Sequence, residues 1–343
     1  MMTGMQRLTA AATGGTSDRI PVFCNLLDQG ARELGVSLPE YYASGERVAE
    51  AQLRMRERYG HDNVWSLFYV GKEAELLGCR RIIYATDGPP NVGDLIIRSP
   101  EDIRTLTVPD DLAGHPVFAE TRRCLEILRR EVGGRYPICA YLTASLTLPA
   151  ILMGMEKWMD LLLSGPFDLR DHLLAKCSEF FRRELAAYRD AGADVIIYSN
   201  PFGSLDIITR RLFTELSLPW MERDLEGFDR SGIVYYCGGA RMNPVIAEVM
   251  DRTGLSTYYL SPLEEIAEGK RLIGNRGVTC GVINDIPLID WSPEQVRAEV
   301  KRLLADGMPG GRFLFGTLVM PLAIPEANIR AMVDAACEFG QYG

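Results

Sequence analysis

From about residue 130 to the carboxyl end, short runs of β-branched and aromatic residues alternate with segments whose apolar positions recur every three or four residues. The runs PICAYLTA, DVIIYSN, IVYYCGG, STYYLSP, VTCGVIND and RFLFGTL read as strands. Between them stand EKWMDLLL, a long helix carrying Leu173, Cys177, Phe181, Leu185 and Tyr188, then ITRRLFTEL, NPVIAEVMDR, LEEIAEGKRLIG, PEQVRAEVKRLLADG and finally EANIRAMVDAACEFG. The amino-terminal third is less regular. There IPVFCNL and VWSLFYV supply two more strands, and RRIIYATDGPPNVGDLIIRSP reads as a hairpin-like excursion ending in a capped turn at Ser99. Alternating strands and helices in this number predict an α/β fold, a single (β/α)8 TIM barrel with an N-terminal insertion, occupying residues 19–343. A doubly wound sheet competes, but no GxGxxG follows any of these strands, which removes its usual support.

Local signals refine the boundaries. Ser261 with Glu264, and Ser292 with Gln295, each beside a proline, read as capping boxes, and Gly192 suits a left-handed helix end. Residues 1–18 are rich in Gly, Thr and Ala without the apolar stretch of a signal peptide, and are expected to form a flexible N-terminal arm. The stretch Tyr136–Met155 carries no charge, but its Pro137, Pro149 and Gly154 favour a buried strand running into a loop and helix over a membrane span.

Composition narrows the function. With 47% hydrophobic and 24% charged residues in 343, the chain can bury a large core. Its net charge of −9 offers no field for a phosphate backbone, so small molecules or another protein are expected as partners rather than nucleic acid or membrane. Eight cysteines without a CxxC pair point to reduced thiols and a cytoplasmic setting. No HExxH, GxSxG or P-loop is present.

In a parallel barrel the chemistry gathers at strand ends and the loops that follow. That rule selects Asn25 and Asp28; Thr143 and Ser145; Tyr198, Ser199 and Asn200; Tyr235 and Cys237; Tyr258, Tyr259 and Ser261; Cys280, Asn284 and Asp285; and Thr317. Cys237 stands beside two glycines that allow close approach of a ligand or metal, although free cysteine is also a common core residue. Asp28 and Asp285 directly follow apolar strands, where burial would perturb a carboxyl group. His61, His115 and His172 have charged neighbours and are expected at the surface.

The ordered segments IPVFCNL, EAELLG (73–78), LTASLTLPAILMGMEKW, AGADVIIYSNPFGS, YYCGG and PEANIRAMVDAA resemble the uroporphyrinogen decarboxylase superfamily, over roughly residues 19–340. That superfamily holds both decarboxylases of heme synthesis and cobamide-dependent methyltransferases. The decarboxylases carry an arginine-rich segment after the first strand; the matching LLDQGAR keeps Arg32 but has Asp28 near the first arginine position. Their acid after the second strand falls on FYV here, and their late histidine falls near Leu318. The methyltransferases bind zinc through His-x-Cys and a later cysteine. Cys237 matches the first cysteine, Tyr235 takes the histidine position, and Leu318 again lies near the remaining ligand, leaving an incomplete zinc site.

The resemblance therefore implies a corrinoid-dependent methyltransferase that moves a methyl group between a methoxyaromatic, methylamine or methanol-type substrate and a corrinoid-binding protein, with a homodimer expected. A decarboxylase acting through Asp28 and Arg32, and a non-catalytic barrel that binds a ligand or a corrinoid protein, are the alternatives. For the methyltransferase, Tyr235, Tyr198 and Asp285 are the expected catalytic groups. Asn25, Asp28, Arg32, Thr143, Asn200, Tyr259 and Asn284 would bind substrate, and Cys237 with Cys280 would be the residual metal ligands.

Overall fold

A computed structural model describes residues 1–85 and 89–342. The eight expected strands are all present: β1 Val22–Asn25, β2 Val64–Trp65, β3 Ile138–Thr143, β4 Val195–Ser199, β5 Ile233–Tyr236, β6 Thr257–Tyr259, β7 Val278–Ile283 and β8 Phe313–Val319. Every ladder between them is parallel, and they follow one another in the order β1-β8-β7-β6-β5-β4-β3-β2. The helices pack outside this sheet, as expected of a (β/α)8 barrel.

Side chains close the ring where β1 meets β2. Asp62 joins the strands at Val22, donating its N–H to the Val22 carbonyl (2.7 Å) while its carboxylate accepts the Val22 N–H (2.9 Å). Asn63 accepts from the Cys24 N–H (2.9 Å), and the Trp65 indole donates to the Cys24 carbonyl (2.7 Å). Gln52 donates to the Leu26 carbonyl and accepts the Trp65 N–H. The backbone groups of Val22 and Cys24, left without a ladder partner on this side, thus find buried substitutes, as low-dielectric burial requires.

The pleat sorts the strand residues into two apolar layers. Ile196, Tyr198, Ile233, Tyr235 and Tyr258 pack outward against the helices, whereas Phe23, Trp65, Tyr141, Ile197, Tyr236, Tyr259, Cys280 and Leu314 fill the lumen. At the amino-terminal end of the lumen a cavity of about 340 Å³ is lined by Met5, Leu8, Phe23, Val234, Tyr259 and Leu314.

The first residues are not an arm. Gly4–Thr13 is a helix, opened by a Thr3/Gln6 capping box and closed by Gly14 in the left-handed conformation (φ 72°). Its Leu8 and Ala11 join the lumen cluster, and the buried Arg7 pairs with Asp18 and Asp62, both at 2.8 Å. A buried face of Gly4, Arg7, Ala10 and Ala11 carries too little apolar periodicity to announce this helix in sequence; the barrel floor supplies the surface that fixes it.

The capping box at Ser292 forms as read, and the capped turn at Ser99 opens a short helix, Pro100–Thr105, through a box with Asp102. The one at Ser261 does not: the helix starts later, at Ile266, and Glu264 instead accepts the N–H groups of Met242 and Asn243. The excursion pairs Ile82 with Val92 in antiparallel fashion, and its residues 86–88 lie outside the described residues. Tyr136–Met155 becomes β3, a loop and the helix Leu148–Met153; among the described residues no helix is long and apolar enough to cross a membrane.

Candidate active site

Register decides which strand-end residues meet. The pairings Thr143↔Ser199, Ser199↔Tyr236, Tyr236↔Tyr259 and Tyr259↔Cys280 form one row on the lumen face. One residue earlier, Leu142↔Tyr198, Tyr198↔Tyr235 and Tyr235↔Tyr258 form the outward row. A shift of one residue changes the face. Tyr198 and Tyr235, expected as catalytic groups, therefore point away from the lumen. The Tyr198 hydroxyl donates to Asp224 (2.8 Å), and its ring meets Phe181. The Tyr235 hydroxyl lies close to Cys237 and Asn200 without a well-aligned hydrogen bond.

The lumen face holds aromatic residues that sequence reading passed over. Tyr141 stacks on Trp65 (centroids 4.9 Å apart, 15° between planes) and meets Phe68 at 5.0 Å. Tyr236 packs edge-on against both Tyr141 (5.7 Å) and Tyr259 (5.6 Å). Tyr236 shares a face with Val234, and the alternation alone does not say which face that is.

Asn25 ties this face together. Its Nδ2 donates to the Tyr141 hydroxyl and to the Thr317 carbonyl, both at 2.8 Å, and the Tyr259 hydroxyl donates to the same carbonyl at 2.7 Å. The Asn25 Oδ1 is buried without a partner. Burial, followed by the nearby Asp285 charge, raises the Tyr236 phenol above its ordinary range. Asp285 itself is 3% exposed, and burial pushes its carboxyl up to about 6 against the pull of backbone N–H donors. No side chain on the inward row from Asn25 through Leu318 is Lys or Arg.

The other expected residues are used elsewhere. Asp28 accepts the Tyr42 hydroxyl (2.5 Å). Arg32 turns to the carbonyls of Leu322 and Ile324 and lies 3.6 Å from Glu326, so its guanidinium serves the loop after β8. Asn200 is fully buried and bonds Thr147 and Ser217; Asn284 accepts the Ile286 N–H. Thr143 lies on the lumen row and donates its N–H to Glu73 (2.6 Å). His61, expected at the surface, is wholly buried with neither ring nitrogen partnered, and burial lowers its pKa to about 3.

Zinc does not fit these residues. Cys237 lies with Tyr235 in the outward layer, its thiol pushed up to about 12 by burial, whereas Cys280 lies in the lumen beside Tyr259. The two cysteines expected as ligands thus face opposite sides of the sheet. Among the described residues no three His, Cys, Asp or Glu side chains gather as a metal site.

Sequence reading also missed three buried acids behind β3 and β4. Glu73 holds the Thr143 N–H, Asp224 holds the Ser145 N–H (3.1 Å) and the Tyr198 hydroxyl, and Glu184 lies against Glu73. They sit on helices far apart in sequence, and only packing brings them to one place.

Parallel strands in a ring, with polar groups gathered near their carboxyl ends, define a TIM-barrel protein with an enzyme-like mouth. The chain belongs to the uroporphyrinogen decarboxylase (URO-D) family, whose profile matches residues 3–339. A methylcobamide:CoM methyltransferase of Methanosarcina barkeri is 25% identical over 97% of both chains. A uroporphyrinogen decarboxylase of Alkalilimnicola ehrlichii is 27% identical over 96% of this chain and 92% of that one. Among solved structures, a methyltransferase from Methanosarcina mazei has the same fold, with a TM-score of 0.84 at 24% identity over 99% of both chains.

Proposed function

We propose that this chain is a methyltransferase that moves a methyl group between a small methylated donor and a corrinoid carried on a partner protein. The observation that carries this reading is the lumen's chemistry: phenols, an amide and one buried carboxyl, with no cationic side chain on the inward row. A substrate bearing several carboxylates would find no counter-charge there, and Arg32, the residue a decarboxylase would use, is spent on loop carbonyls. The names of the methyltransferase relatives support the same reading.

The corrinoid would supply the cobalt that takes up or gives the methyl group. This chain's residues bind the donor and manage its heteroatom. Asn25 Oδ1 offers a fixed acceptor, Tyr236 a phenol, and Asp285, held near 6, either a proton for the departing heteroatom or a counter-charge. Ile207, Leu263 and Ile286 remain exposed on the loops after β4, β6 and β7, the same face of the barrel, and suit cover by the partner.

Incubating the protein with cob(I)alamin and separate methoxyaromatics, methylamines and methanol should yield methylcobalamin, read by its absorbance. Coenzyme M should not be methylated in the reverse direction, since no thiolate-activating zinc set assembles among the described residues. Silence across the donor panel, or carbon dioxide release from a carboxylated substrate, would overturn the reading.

A further inference from the structure

The lumen combines electron-rich ring faces with a carboxyl that lacks a counter-ion. Trp65, Phe68, Tyr141, Tyr236 and Tyr259 form one continuous aromatic set, each ring within 6 Å of the next. Aromatic faces attract a cation electrostatically, and the attraction grows when water is excluded. Asp285 lies beside Tyr236, almost wholly buried, yet joins no salt bridge among the described residues. A buried carboxylate is costly unless something positive accompanies it. The unpartnered Asn25 Oδ1 adds a second negative dipole on the same face. The Asp285 carboxylate, the ring faces and the Asn25 Oδ1 thus favour positive charge, and no residue of the inward row supplies it.

From this arrangement we infer that the methyl donor is a methylated ammonium compound, seated against the Tyr236 and Tyr141 rings with Asp285 as its counter-charge. The inference rests on the methyltransferase reading for the word donor; the binding chemistry stands without it. The reaction balances simply. A corrinoid would supply the electron pair for the new bond to the methyl carbon, while the carbon–nitrogen bond would break with its own pair staying on nitrogen as a neutral amine. No proton is required, so ionised Asp285 serves as an electrostatic partner. A methyl ether would instead leave as an alkoxide and need a proton from the same group.

Titration calorimetry of the full chain with choline, and with its uncharged carbon isostere in which a quaternary carbon replaces the nitrogen, separates charge from shape. Choline should bind at least about ten-fold more tightly, since cation–π contacts and a buried ion pair each contribute about that factor. Its affinity should fall as pH drops through about 6, where Asp285 takes up its proton. Asp285→Asn and Tyr236→Leu should each lose about ten-fold for choline, and Tyr236→Phe, which keeps the ring, should lose little. Equal or tighter binding of the isostere, tighter binding of anisole, or no choline binding at all would overturn the inference. Methylcobalamin formed from anisole without choline binding would leave methyl transfer standing and remove only the ammonium donor. Choline binding without methylcobalamin from any donor would do the reverse.

Discussion

Replacing Asp285 by asparagine should stabilise the protein, by an amount that depends on pH. The carboxyl is buried, lacks a salt bridge among the described residues, and is displaced by burial to about 6. Its folded-state pKa thus exceeds the unfolded value, so the native state binds the proton more tightly. The associated stability is in place below the ordinary carboxyl range and is lost as pH rises through about 6. A displacement of that size corresponds to about 3 kcal/mol. Asparagine keeps the shape and stays neutral, so the variant should gain up to about 3 kcal/mol at about pH 8 and almost nothing at about pH 4. Urea unfolding of both proteins at the two pH values measures this through the midpoint and slope. A gain of equal size at both values, or a loss at the higher one, would refute the claim that desolvation dominates at this residue.

Tyr141→Phe removes one of the two acceptors of the Asn25 amide and should lower methylcobalamin formation about ten-fold, while Tyr198→Phe leaves turnover intact but costs about 1–2 kcal/mol by depriving buried Asp224 of a donor; turnover and unfolding assays together separate the two layers. Gly316→Ala would place a methyl group 2.2 Å from the Tyr259 hydroxyl and 2.7 Å from the Cys280 sulfur, so it should abolish choline binding and lower the melting temperature. Glu184 is pushed well above the ordinary range by burial and then by Glu73, so its contribution is also lost as pH rises; the stability advantage of Glu184→Gln should grow with pH in urea titrations. Arg7→Ala leaves Asp18 and buried Asp62 short of a partner and should cost about 3 kcal/mol, with increased proteolysis before residue 18.

Much of the barrel was legible because each strand is a compact apolar run bounded by turn residues and each later helix shows its period. Ser292 announced its helix because a capping box is local, involving residues three apart. Ser261 carried the same signal, but Glu264 found the N–H groups of Met242 and Asn243, which no local rule foresees. Asn25, Thr143, Tyr259, Cys280 and Asp285 were identified from position alone, and the structure brings them to or beside the lumen face. Tyr198 and Tyr235 were not separable from their neighbours that way. In IVYYC both candidate positions are tyrosine, so composition does not say which row faces inward.

The amino-acid sequence by itself determined the strands, the helices and their alternation, because these follow from side-chain periodicity and local capping. It also determined that the strands would present no cation to the lumen, since they contain no Lys or Arg in either order of facing. Only the tertiary structure decided which tyrosines look inward, that Arg7 locks a helix beneath the barrel, and that Asp62, Asn63 and Gln52 close the seam between β1 and β2. Those outcomes depend on contacts between residues tens of positions apart. They are settled by the ring closing and water leaving, which no local pattern encodes.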